Sequence, residues 1–177
     1  MNLRVISFIV MGSAATMMLS SEETQRDHAG KIYSVCEVLQ NLESLNGNVI
    51  SVRGIVASGQ GTFLIDRCRL KLAVKGYTWP DAIWLLYATD DILCDEIRDA
   101  WNRAWDAVDR MRPRKKRDEY DVVMTFVGLL EAKDLDKVTV LNRLGKPIGF
   151  GFGVGNLAPA QLRFKTVMNP SVMRKPK

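Results

Sequence analysis

The sequence predicts a β-barrel with helices, an α+β domain whose five strands close on one another. Three observations predict it. Short runs alternate apolar with polar residues and end at glycine-bearing turns, as in Val49 to Ser58 and Thr62 to Ile65. One long amphipathic helix, Asp91 to Met111, separates the first three strands from the last two. The long apolar run Tyr120 to Leu130 is interrupted by Gly128, where a barrel wall needs a bend.

Residues 1–21 read as a signal peptide. Arg4 precedes a run from Val5 to Leu19 that carries no charge, and Ser20, Ser21, Glu22 and Glu23 follow it. A membrane span needs about 20 apolar residues, and this run is broken by Gly12, Ser13 and Thr16. The expectation is cleavage near Ser20 or Ser21 and export to the periplasm or beyond, an N-terminal membrane anchor being the alternative. Residues 22–33 form a polar leader that holds the sole histidine, His28.

The domain proper is expected over 34–169. Ser34 to Leu45 has helical apolar spacing, Ser34 and Glu37 make a capping box, and Asn46-Gly47 ends the helix. Asn48 to Ser58 is a strand bent or bulged at Gly54, and Gly59-Gln60-Gly61 turns it into Thr62 to Ile65. Leu70, Leu72 and Val74 alternate with lysines as a short edge strand. Ala82 to Tyr87 is too apolar to face water and reads as a central strand. Along the long helix Leu93, Ile97, Trp101, Trp105 and Val108 draw one stripe, capped by Asp90 or Asp91. Gln161 to Met168 closes the barrel, and 170–177 has the proline and basic content of a disordered tail.

With 25 basic and 20 acidic residues, the net charge of +5 is too mild to indicate nucleic acid by itself. Cys36, Cys68 and Cys94 fit no zinc spacing. In an oxidising compartment Cys36 and Cys68, both at element ends, are candidates for a disulfide, the alternative being separately buried thiols; Cys94 reads as a packing residue.

An OB fold is a five-stranded Greek-key barrel in which a helix commonly fills the gap between strands three and four, where the long helix stands here. Four pieces of sequence carry a further likeness: Val35-Cys36-Glu37-Val38-Leu39, Asn46-Gly47 leading to Val52-Arg53-Gly54, Ala82-Ile83-Trp84-Leu85, and Gly149-Phe150-Gly151 before Pro159-Ala160-Gln161-Leu162. In these the chain resembles small secreted bacterial OB-like proteins of uncharacterised function, akin to nucleic-acid-binding OB domains. The resemblance implies export and architecture and brings no catalytic residues. The run between Arg110 and Arg117 and the third cysteine depart from it.

Arg110, Arg112, Arg114, Lys115, Lys116 and Arg117 cluster where the long helix ends. They complement the helix C-terminus as a solvated loop, or they form a patch for nucleic acid, acidic glycans or anionic head groups. Asp118, Glu119 and Asp121 follow and offset them. Phe63 and Tyr87 are candidate stacking platforms with Arg53 and Arg67 nearby, whereas Trp84, Trp101 and Trp105 read as core. Gly149, Gly151, Gly153 and Gly155 lack the helix and the Lys-Ser/Thr of a phosphate loop, so a flexible or tightly packed barrel loop is expected. His28 has no nucleophile or acid pattern around it, and Asp66, Arg67 and Glu131 match no nuclease motif. The expectation is a non-catalytic monomer without metal or cofactor. It would have no span in the mature chain and would bind a protein, peptide or glycan, with nucleic acid as the alternative partner and a metal-dependent nuclease as the remote one.

Overall fold

The computed structural model describes residues 30–87 and 94–176. The expected signal peptide, most of the expected leader with His28, and Asp90 and Asp91 lie outside the described residues. So do the side chains of Cys94, Arg114, Lys115 and Lys116.

Near the start of the described residues stands a strand that the leader was not expected to contain. Strand β1 (Ile32–Ser34) pairs parallel to the middle of β2 (Val49–Ser58) and buries Tyr33. Between them Ser34 caps helix α1 (Val35–Gln40): its hydroxyl accepts the Glu37 amide at 3.2 Å, and the Glu37 carboxylate accepts the Ser34 amide at 2.8 Å. The single helix expected to Leu45 is instead two. The Asn41 side chain donates to the Glu37 carbonyl at 2.7 Å, taking the acceptor that a continuing helix would use, and α2 (Leu42–Leu45) starts afresh.

Strand β3 (Thr62–Ile65) returns along β2 as a hairpin and β6 (Ala82–Tyr87) pairs antiparallel to β3. Between β3 and β6 the expected edge strand from Leu70 shrinks to a two-residue hairpin, β4 (Ala73–Val74) and β5 (Tyr77–Thr78). Lys75 and Gly76 turn it, both with positive φ, the geometry that matches strand twist. Helix α3 (Cys94–Met111) follows, then β7 (Tyr120–Ala132), α4 (Leu135–Val138), the hairpin β8 (Thr139–Leu141) and β9 (Pro147–Gly149), and the last strand β10 (Ala160–Arg174).

Hydrogen bonding runs β2, β3, β6, β10, β7 and back to β2, so five strands close a mixed barrel, with β6 and β10 parallel and the other wall contacts antiparallel. Inward residues alternate as period-two strands require: Ile50, Val52, Met124, Phe126, Leu162 and Phe164 are all buried. Trp101 of α3 lies 5.9 Å from Phe126 and 6.0 Å from Phe164, ring to ring, covering one end of this core.

Gly54 makes no bulge. It stays in register opposite Met124, and its missing side chain admits Val35 of α1, whose methyl would stand 2.8 Å from a Cβ. The wall bends at Gly128: β10 slips register between Phe164 and Thr166, and its backbone there leaves no room for a Cβ. The tail is likewise ordered rather than frayed. Ser171 to Arg174 pair with Val123 to Tyr120, and Pro170 falls in a second register break, where no ladder donor is needed. Cys36 of α1 and Cys68 after β3 stand at disulfide distance with Cα atoms 5.4 Å apart.

Candidate binding face

The pairing of β3 with β6 decides which aromatics face outward. Phe63 is opposite Trp84 and Leu64 is opposite Ile83. Leu64 and Ile83 are buried in the barrel, so Phe63 and Trp84 project from its outer surface, half-buried, with ring centroids 4.7 Å apart in an edge-to-face pair. Trp84 was expected in the core. Six consecutive apolar residues carry no alternation from which its face could be read, and only the register against β3 supplies it.

Tyr87 has the opposite parity. It is 41% exposed at the end of β6, with its ring 4.8 Å from Phe164 and 6.1 Å from Trp101, and its partial burial pushes its phenol pKa up. By strand parity Tyr87 and Phe63 project from opposite faces of the wall, and the aromatic beside Phe63 is Trp84.

The Trp84 indole is clasped by glycines from two loops. Gly61, in the β2–β3 turn, and Gly153, in the segment before β10, both lie so close that a Cβ on either would overlap ring atoms. Gly153 has φ +79, which also favours glycine. Gly149 closes in the same way on Trp79, which is 1% exposed, and Gly151 packs first against the Ala158 backbone and then against the Trp79 ring. Three of the four alternating glycines, Gly149, Gly151 and Gly153, thus pack closely on the two indoles, the packed form of the loop expected from sequence. On this loop Phe152 bridges to Ala158 and lies under the Lys133 ammonium at 4.6 Å, and Phe150 is exposed.

Arg53 and Arg67 stand elsewhere. The Arg53 guanidinium crosses β7 to reach β10, donating to Thr125 Oγ1 at 3.1 Å, the Asn169 carbonyl at 3.1 Å and Ser171 Oγ at 2.8 Å. It lines a groove of about 450 Å³ with Ile32, Glu37, Asp66 and Met173, which neither Phe63 nor Trp84 touches. Arg67 is largely in solvent, 3.8 Å from Asp121 Oδ2. Glu131 accepts from Gln161 and from Arg163 Nε at 3.1 Å, a cross-strand tie. Among the described residues no group of three or more His, Cys, Asp or Glu is placed to hold a metal ion.

The basic run is partly engaged within its own turn. Arg112 donates to the Arg117 carbonyl at 3.1 and 2.8 Å and to the Tyr120 carbonyl at 3.4 Å, while Arg117 pairs with Asp109 at 3.1 Å. Arg110 remains exposed in the last turn of α3. Among the described residues no helix is long and apolar enough to cross a membrane. No protein-family model, no curated protein and no solved structure matches the chain; its closed five-stranded barrel is compatible with an OB-like fold.

Proposed function

We propose that the chain is an exported, non-catalytic binding module on an OB-type barrel, taking a protein segment, a peptide or a glycan on its β3–β6 face. The strand order, with parallel β6 and β10 and α3 in the gap before β7, supports the OB assignment. OB barrels receive oligosaccharides and oligonucleotides on their second and third strands and the loops beside them. The observation that carries the reading is the outward Phe63–Trp84 pair, on those two strands and between those two loops. Export is supported by the uncharged run 5–19 after Arg4 and by the Cys36–Cys68 pair, since such bridges persist in oxidising compartments.

The test is a screen of immobilised glycans and peptides followed by fluorescence titration of the best binder. Phe63→Ser and Trp84→Phe are expected to weaken binding about tenfold, as loss of a stacked ring costs on the order of 1–3 kcal/mol. Binding that is indifferent to both would remove the face from consideration. Binding only to polyanions, falling steeply with salt and lost on neutralising Arg110 and Arg117, would favour the nucleic-acid alternative. N-terminal sequencing of the exported protein tests the signal peptide: a start near residue 21 or 22 is expected.

A further inference from the structure

The β8–β9 hairpin presents apolar side chains that no part of the fold uses. Leu144 at its turn is 81% exposed and Leu141 beside it is 67% exposed, with Val140 also in solvent. The turn is nevertheless fixed. The Asn142 amide donates to the Lys146 carbonyl at 2.8 Å and the Gly145 amide to the Asn142 carbonyl at 2.9 Å. Asn142 Oδ1 accepts the amides of Leu144 and Lys146, each at 2.9 Å. Four of the tip's backbone donors are therefore already satisfied, and that removes most of the penalty for placing a loop in an apolar medium.

The charges around the tip have one sign. Arg143 and Lys146 flank Leu144, both are exposed, and neither has an acidic partner among the described residues, whereas Lys137 at the hairpin base is paired with Asp134 at 2.8 Å. Exposed leucines ringed by unpaired cations complement the boundary of an anionic bilayer, where acyl chains receive the leucines and head-group phosphates receive the cations. We propose that the hairpin tip docks the domain reversibly on an anionic lipid surface, Leu141 and Leu144 inserting and Arg143 and Lys146 pairing with phosphates. The site shares no residue with the Phe63–Trp84 face and does not depend on the reading of that face.

The test uses the full chain with vesicles of phosphatidylcholine, alone or mixed with phosphatidylglycerol. Binding to the mixed vesicles is expected to exceed binding to the neutral ones and to weaken with salt. It should fall about tenfold or more in Leu141→Ser/Leu144→Ser, and Arg143→Gln/Lys146→Gln should lose the salt dependence. All four side chains are exposed, so these variants are expected to fold as the parent does. Because the run 5–19 can itself partition into lipid, a second measurement reads the tip alone. In Leu144→Trp the added emission should shift to the blue and be quenched by brominated acyl chains. Added emission that stays unshifted and unquenched overturns the proposal, whatever binding the run 5–19 contributes.

Discussion

The barrel wall and the segment that joins its last two strands, 133–159, are ordered by different means. In the wall, alternation marks most of the inward face: Ile50 and Val52 on β2, Met124 and Phe126 on β7, and Leu162 and Phe164 on β10 are buried apolar residues, with only polar Thr125 and Gln161 buried beside them. In the joining segment, α4 and the β8–β9 hairpin bury little of their own. The segment is held by two indoles that belong to the region between β3 and the end of β6, Trp79 against Gly149 and Gly151, and Trp84 against Gly153. A glycine-rich loop is thus fixed by distant aromatic rings, and its spacing records their shape rather than a ligand.

The largest effect should come from removing an anchor. Trp79→Ala leaves a buried void and is expected to cost about 3–5 kcal/mol, read by denaturant unfolding. Hydrogen exchange should show amides of 139–158 losing protection well before those of β7 and β10. Simultaneous loss in both regions would erase the distinction. Next in size, Cys36→Ser opens a loop of 32 residues and should cost about 3–4 kcal/mol, equal to the effect of reductant on the parent. That loss should fall on the wall and α1 and leave the joining segment's relative protection unchanged.

Gly153→Ala should cost roughly 1–3 kcal/mol and displace Trp84, visible as a red shift in emission. Gly155→Ala is the control. Its φ is also positive, at +75, but a Cβ there would meet only Leu157 at 3.5 Å. It should carry the backbone strain alone, and equal costs at the two positions would break the indole-cradle account.

Glu37 gives a smaller, pH-dependent effect. The amide and hydroxyl of Ser34 hold its carboxyl below the ordinary value of 4.5. A lowered folded pKa means the cap's contribution is complete above the unfolded value and is lost as pH falls through the folded one. Glu37→Gln should flatten the stability profile below pH 4.5 and leave its neutral limb nearly parallel to the parent's. The smallest effect is expected at Thr139, 1% exposed, whose hydroxyl has no hydrogen-bond partner among the described residues. Thr139→Val should change stability by less than about 1 kcal/mol or raise it, whereas a cost well above that would place an ordered water on the hydroxyl.

Local patterning made the long strands, the amphipathic α3 and the Ser34–Glu37 cap readable, because period, cap and partner lie within a few residues of one another. The candidate site was readable only in part. Phe63 faces outward as expected, but the parity of Trp84 and Tyr87 depends on pairing between β3 and β6 across sixteen residues of irregular chain, from Asp66 to Asp81. Arg53 looked like a neighbour of the aromatics and is instead a strut to β10, because a strand side chain can reach across one wall strand but not around the barrel. The break at Asn41 and strand β1 escaped notice for a related reason. Each depends on one side-chain or backbone bond that no periodicity announces.

By itself, then, the sequence determined the number of wall strands, the long helix and the inward face of each alternating strand. These follow from burial of alternate residues, a property of each segment alone. Closure of β7 on β2, the outward turn of Trp84, the packing role of the glycines and the ordering of the last strand to Arg174 were decided only by tertiary structure. Each is a contact between residues distant in sequence, and the free energy that selects it exists only once both partners are in place.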